Sequence, residues 1–259
     1  RFVDDVAPSF AAVVFAPYLF GTTFWGAQSL PERTVIIPCL HDEPHAYLPP
    51  IQRVLRSAAA LAFNSRGEQA LAERILGPIE GAVVGLGFAP AAIAPQPGFA
   101  ARHGLGRYLL YAGRIEQGKR VDAAARHVAA LARQIDPTIR LVLIGRGSWQ
   151  PTPDTAPFIH RLGFVSDDDK RAAMAEAVAL VNPSERESLS IVLLEAWCEG
   201  TPALVAEGSE VMVDHCTRSG GGIAFGDEAE FIAAARHLID APSARHEMGR
   251  RGRDYVLAE

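Results

Sequence analysis

Short apolar runs rich in Val, Ile and Leu recur along the chain. Between them lie longer stretches whose apolar positions return every three or four residues. The first runs are AAVVFAP (11–17), TVIIPCL (34–40), ALAFNS (60–65) and GAVVGLG (81–87). Each is short, bounded by Pro, Gly, Asn or Ser, and reads as a buried strand. Helical spacing follows in SRGEQALAERIL (65–76), where Ser65 is placed to cap the first turn. The stretch 88–106, FAPAAIAPQPGFAARHGLG, has no period and is rich in Pro, Ala and Gly, so a linker is expected there.

Beyond residue 106 the alternation restarts. Strands are expected at YLLYAG (108–113), IRLVLIG (139–145), LGFV (162–165), VALVNPS (178–184), PALVA (202–206) and GGIAFG (221–226). A helix is expected over 119–135, with Ala and Val on one face. Another follows Ser166, whose three Asp neighbours suit the positive end of a helix dipole. Two more helical stretches close the chain, from about Glu228 and Ser243. Near-continuous apolar strands between helices imply parallel sheets covered on both faces. The expected fold class is therefore α/β, with two Rossmann-like parallel-sheet domains. Residues 1–98 form a partial first domain with its linker, and 99–259 form the second. In such folds ligands bind at the carboxyl ends of strands, so the cleft between the domains is the expected active site. No short internal repeat is present. The chain opens with Arg1 and enters a strand-like run almost at once, so an N-terminal part is expected to be missing.

Composition narrows the function. The 259 residues are 49% hydrophobic and 21% charged, a globular balance. The net charge is −5 and no helix carries a basic stripe, which argues against a nucleic-acid partner. Cys39, Cys198 and Cys216 are far apart and lack CxxC spacing, which fits a reducing cytoplasm. No apolar run reaches the ~18 residues of a membrane span. FAAVVFAPYLF (10–20) is too short and contains Pro17.

The stretch ERESLSIVLLEAWCEGTP (185–202) raises a chemical question. Its middle is uncharged, yet Glu195 interrupts an apolar helical run and Glu187 precedes it. The strand at 178–184 delivers the chain to this loop, and a helix is expected to begin near Ser188, with Glu195 about two turns in. Glu187 then stands at a strand's carboxyl end beside helix amides that favour an anion. Each carboxylate can accept two vicinal hydroxyls side by side. Phosphate at a helix end with polyol on either side describes a nucleotide sugar.

NPSERESLSIVLLEAWCEGTPALV is similar to the signature of the GT4 family, retaining glycosyltransferases of the GT-B fold. That signature is Glu, seven residues, Glu, then a small-residue turn and Pro: here Glu187, Glu195 and Gly200-Thr201-Pro202. YAGRIEQGKRVD, LVLIGRGS, RLGFVSDDDKRAAMAEAVALVNPS and RHEMGRRGRDYV resemble further family segments in the correct order. The resemblance implies that Arg114 and Lys119 grip the donor diphosphate, with Ser188, Leu189 and Ser190 in positions whose amides face sugar and phosphate. The family carries Gly-Phe-Gly there, so two glycines have become serines. It implies further that Glu195 holds the ribose, that Glu187 holds donor-sugar hydroxyls, and that Gly163, Phe164 and Val165 lie where the backbone touches the nucleobase. CLHDEPHAYLPP resembles the family's strand-His-Asp segment. His41, with Glu187 an expected catalytic residue, either shares the positive charge near the anomeric carbon or aligns a hydroxyl.

The function implied is transfer of a sugar from a nucleotide-diphosphate donor to an acceptor hydroxyl, with retention. The acceptor is a carbohydrate or lipid-linked molecule, and peripheral membrane association is not legible in the sequence. HDEPH (41–45) is not HExxH, and Pro44 disfavours the helix that would align its histidines on zinc. GRGS lacks a P-loop Lys. No DxD segment suits a metal-bridged donor, so no metal or other cofactor is expected. Two alternatives stay open: a module that binds a nucleotide sugar without transferring it, and a GT-B sugar-nucleotide epimerase.

Overall fold

The computed structural model describes residues 3, 5, 9–87, 90 and 93–258, and the chain divides into two compact units. The first comprises residues 1–88 with 186–189; the second comprises 89–185 with 190–259.

In the first unit, strands β1 (Val13–Phe15), β2 (Thr34–Ile36), β3 (Ala60–Phe63) and β4 (Gly81–Val83) form a parallel sheet in that order. Helices of this unit include α1 (Gly21–Gly26), α2 (Pro49–Ser57) and α3 (Arg66–Leu76). Two prolines open α2, where the missing N–H costs nothing. Ser65 caps α3, its hydroxyl accepting from the Glu68 amide at 3.1 Å. Ile36, Leu61, Phe63 and Leu71 fill the core between sheet and helices. The strand expected over 34–40 pairs only to Ile36; beyond it the chain leaves the ladder, and Cys39 takes a positive φ of 51°.

The second unit carries β5 (Tyr108–Ala112), β6 (Arg140–Ile144), β7 (Ile159–Gly163), β8 (Ala179–Asn182), β9 (Ala203–Ala206) and β10 (Gly222–Phe225). All its pairings are parallel, in the order β10-β9-β8-β5-β6-β7. Strands β5, β8 and β9 are buried at every position, as a sheet covered on both faces requires. The helices are α4 (Phe99–Arg102), α5 (Val121–Gln134), α6 (Asp167–Glu176), α7 (Ile191–Cys198), α8 (Glu210–Ser219), α9 (Glu228–Asp240) and α10 (Pro242–Ala258). Strand β7 begins three residues before the expected run, because IHR pairs with β6 despite its polar side chains.

The expected linker is partly structured. Residues 88, 89, 91 and 92 of it lie outside the described residues. Further on, the Glu176 carboxylate accepts the amides of Gly98, Phe99 and Ala100 at 2.5, 2.9 and 2.8 Å, and Phe99 is buried. Burial raises the Glu176 pKa, but the three donors outweigh it and hold the carboxyl below its usual range.

Close packing fixes α7. Trp197 is fully buried and its indole donates to the Gly221 carbonyl at 2.8 Å. A side chain at Gly252 would overlap the indole, and one at Gly249 would overlap the Gly200 carbonyl. Glycine at both positions lets α10 lie directly on α7.

Candidate active site

Within the second unit the strand order reverses between β5 and β8: the first strand of the unit pairs with the second and the fourth. Loops leaving the carboxyl ends of two such strands diverge and open a crevice. The loop after β5 carries Arg114 and Lys119, and the loop after β8 carries Ser190 and leads to Glu195. The sequence-expected diphosphate and ribose ligands thus arise from the strands that flank the reversal.

The loop after β5 is stitched to its neighbours by backbone. Gly113 N–H donates to Ile144 O at 2.9 Å, and Ile115 N–H donates to Arg146 O at 2.8 Å. Gly145 N–H donates to Gly163 O at 2.7 Å. Gly145 has φ 136°, and a Cβ there would overlap the Gly113 carbonyl, so only glycine permits this approach. The turns 113–115, 145–147 and 163–165 therefore form one connected rim. Tyr111 Oη donates to the Arg114 carbonyl at 2.6 Å and fixes that residue's backbone. The Arg114 guanidinium is 72% exposed and lies 3.0 Å from Glu116. Lys119 ends a single 3-10 turn, and Arg120 begins α5 at φ 53°, paired with Glu185. Phe164 is 70% exposed, with the Arg146 guanidinium 4.7 Å over its ring. Gly163 takes φ 75°, and Val165 is half-buried.

The helix expected from Ser188 begins three residues later. Ser190 caps α7 from the left-handed region (φ 64°, ψ 67°), and Ile191 is its first helical residue. Glu195 consequently lies one turn in, not two. A left-handed residue here is conformation that glycine adopts freely and serine does not. Ser190 is buried, and its hydroxyl accepts from the Asn182 amide at 2.9 Å; Asn182 Oδ1 accepts from Ser184 N–H at 3.1 Å. Glu195 meets Lys170 of α6, with Nζ 2.8 Å from Oε1.

The remaining expected residues group with the first unit. His41 Nδ1 lies 3.7 Å from Glu43 Oε1, Tyr18 Oη donates to the same oxygen at 2.8 Å, and Arg186 lies 3.6 Å from Oε2. Glu43 is thus the hub that His41 leans on. The Ser65 hydroxyl, already a cap acceptor, donates to the Ser188 carbonyl at 2.8 Å. Glu187 is half-buried, and Leu189 is buried. His41 lies five residues past the end of β2, not directly after it. Its loop is held instead by Glu68, whose carboxylate accepts from Leu40 N–H at 2.6 Å and Asn64 N–H at 2.5 Å. Among the described residues, no group of three His, Cys, Asp or Glu side chains is arranged to hold a metal ion.

Sequence reasoning did not single out Glu43, Glu68, Arg120, Arg146, Lys170 or Asn182. A signal existed for Glu68, which completes Ser-x-x-Glu at a helix start. The pairings of Glu43 with Tyr18, Arg120 with Glu185, Arg146 with Phe164 and Lys170 with Glu195 join residues 18 or more positions apart and leave no local trace.

Comparison with known proteins identifies the family and the fold. Residues 106–241 match the family described as Glycosyl transferases group 1. The chain belongs to that family. Among curated relatives, a D-inositol 3-phosphate glycosyltransferase of Kineococcus radiotolerans is 31% identical over 236 residues, covering 77% of this chain and 53% of the relative. A glycogen synthase of Mycobacterium tuberculosis is 30% identical over 163 residues, covering 58% of this chain and 38% of the relative. The chain spans about half the length of the first of these relatives, and less of the second. In fold it matches sucrose-phosphate synthase from Thermosynechococcus elongatus with a TM-score of 0.80 at 17% identity, over 99% of this chain and 72% of that one. It matches Anabaena HepE, solved with UDP and glucose, with a TM-score of 0.82 at 16% identity, over 99% of this chain and 76% of that one. These likenesses establish the two-sheet α/β architecture of GT-B glycosyltransferases. Among the described residues no helix is long and apolar enough to cross a membrane.

Proposed function

We propose that this chain is the donor-binding part of a retaining glycosyltransferase that moves a sugar from a nucleoside-diphosphate donor to an acceptor hydroxyl. The observation that carries the reading is the origin of its two key loops: Arg114 and Lys119 leave β5, Ser190 and Glu195 follow β8, and these strands flank the reversal of strand order.

In this reading the basic pair meets the diphosphate, whose charge grows as the glycosidic bond breaks, so it favours the transition state over the ground state. Glu195 accepts the ribose hydroxyls, the rim at 163–165 meets the base, Glu187 holds donor-sugar hydroxyls, and His41 serves as a catalytic residue. Fixed donors and orientation supply the rate, with no metal or further cofactor. The acceptor is a carbohydrate or a lipid-linked sugar. That HepE was solved with UDP and glucose supports a uridine or similar nucleotide as the donor class.

Thermal-shift measurement with UDP, GDP, ADP and NAD tests the proposal. A ligand that binds only the folded state raises the melting temperature. A nucleoside diphosphate should raise it and NAD should not, because no GxGxxG follows the first strand of either unit. A shift with NAD alone overturns the reading. Binding without turnover in the full-length protein would leave a nucleotide-sugar-binding module.

A further inference from the structure

Glu195, a carboxylate of the expected donor site, pairs with a cation of a different helix of the second unit. Lys170 Nζ lies 2.8 Å from Glu195 Oε1, and both side chains are about a quarter exposed, at 25% and 29%. Lys170 stands in the first turn of α6, after Ser166 and three aspartates. The positive end of a helix dipole disfavours a cation there. Its ammonium has a local partner in the exposed Asp167 at 3.7 Å, but the shorter contact, 2.8 Å, is the one to Glu195 on another helix. The loop leading into α6 comes from β7, and the loop leading into α7 comes from β8, so the pair stands on the carboxyl side of the sheet, where ligands bind. Among the described residues, Glu195 has no other hydrogen-bond or ion-pair partner.

We propose that Lys170 is a positioning and specificity-determining residue for the ribose of the donor nucleotide, acting through Glu195. The inference rests on the donor reading above. A vicinal diol presents two O–H donors and further lone pairs. A carboxylate alone can only accept. Paired with an ammonium, it is held in one orientation with its second oxygen open to a hydroxyl, and the ammonium's two remaining N–H groups can donate to the hydroxyl oxygens. The pair therefore reads a diol as both donor and acceptor. A site built to hydrogen-bond a hydroxyl rejects an analogue that lacks it, because its polar groups are then left unpaired.

The test is isothermal titration of the 259-residue chain with UDP or GDP and with the matching 2′,3′-dideoxynucleoside diphosphate. The parent should prefer the ribonucleotide. Lys170→Met keeps an unbranched side chain of similar length and should weaken ribonucleotide binding roughly tenfold, the effect of about one charge-assisted hydrogen bond. It should leave dideoxynucleotide binding unchanged. Lys170→Arg should restore part of the preference. A pair that merely joins two helices would lower the melting temperature of the free protein and move both affinities together or neither, and that result overturns the proposal. Should Lys170→Met not fold, the Lys170→Arg ratio decides: a partial loss of the ribonucleotide preference supports the role, and an unaltered ratio or an equal change in both affinities overturns it. If the parent binds no nucleoside diphosphate at all, the donor reading itself falls and this inference with it. Parent binding with an unchanged preference in Lys170→Met overturns the role of Lys170 alone.

Discussion

The hydroxyl of Ser190 accepts the Asn182 side-chain amide at 2.9 Å while its own backbone occupies the left-handed region at φ 64°. One residue thus closes the end of β8 onto the start of α7 and bears the strain of the turn that joins them. The serine is not a neutral replacement for glycine. It exchanges backbone freedom for a buried hydrogen bond.

Two variants separate those effects. Ser190→Gly loses the hydrogen bond but relieves the backbone; Ser190→Ala loses the same bond and keeps the strain. Leaving the Asn182 amide unpaired costs about 1–3 kcal/mol, and a non-glycine residue in the left-handed region costs roughly 1–2 kcal/mol. The expected order of stability is parent, then Gly, then Ala, measured by urea denaturation. Equal stability of the two variants would show that the turn carries no strain.

Gly145→Ala should be among the most damaging small substitutions in the second unit. The added methyl meets the Gly113 carbonyl, in a backbone conformation (φ 136°) that alanine resists. The expected loss is on the order of 3 kcal/mol or more. Because the overlap pushes on the turn that precedes Arg114, nucleoside-diphosphate affinity should fall even at temperatures where the variant stays folded. Denaturation and titration on the same sample check both parts.

How much of this was legible beforehand depends on the range of the interaction. Strand positions at 108–113, 139–145 and 178–184 follow from continuous apolar runs, and the structure places β5, β6 and β8 within them. The Ser65 and Ser166 caps were readable because a cap is a contact over three residues. The start of α7 was misread by three residues, because Ser188 and Ser190 look alike as caps and only the backbone turn separates them. Strand β7 was misplaced because its polar residues hide it from an apolar pattern. Partners such as Lys170 with Glu195, or Glu43 with Tyr18, are tertiary and have no sequence period to reveal them.

Glu68 should give the first unit a measurable pH dependence. It is fully buried, and burial pushes its carboxyl from 4.5 up to about 7, against the hydrogen bonds from Asn64 and Leu40. Between those values the folded state binds a proton that the unfolded chain has released. The stabilising contribution of this group is therefore complete below pH 4.5 and is lost as the pH rises through 7. At ~1.4 kcal/mol for each pH unit, the change is on the order of 3 kcal/mol. Glu68→Gln cannot titrate, so the stability difference between parent and variant should shift in favour of the variant from pH 5 to pH 8. A difference that stays flat over this range would mean that the two amides keep Glu68 ionised throughout.

Arg114 should matter to ligand and not to fold. Its guanidinium is exposed and pairs with an exposed Glu116 at 3.0 Å, an arrangement worth about 0–1 kcal/mol. Tyr111 holds the Arg114 carbonyl, not its side chain, so Arg114→Ala leaves the turn intact and should leave the melting temperature of the free protein near that of the parent. Nucleoside-diphosphate binding should behave differently. Removal of one charge-assisted contact to phosphate should weaken it roughly tenfold. The corresponding nucleoside, which has no phosphate, should bind parent and variant alike. Arg114→Lys should restore part of the affinity, since an ammonium supplies charge without the planar fork that matches two phosphate oxygens. Added salt should weaken the parent more than the variant, because the variant has one fewer charge to screen. If Arg114→Ala combined with Lys119→Ala binds the diphosphate as tightly as the parent, the pair is a surface feature of the β5 loop and the phosphates lie elsewhere.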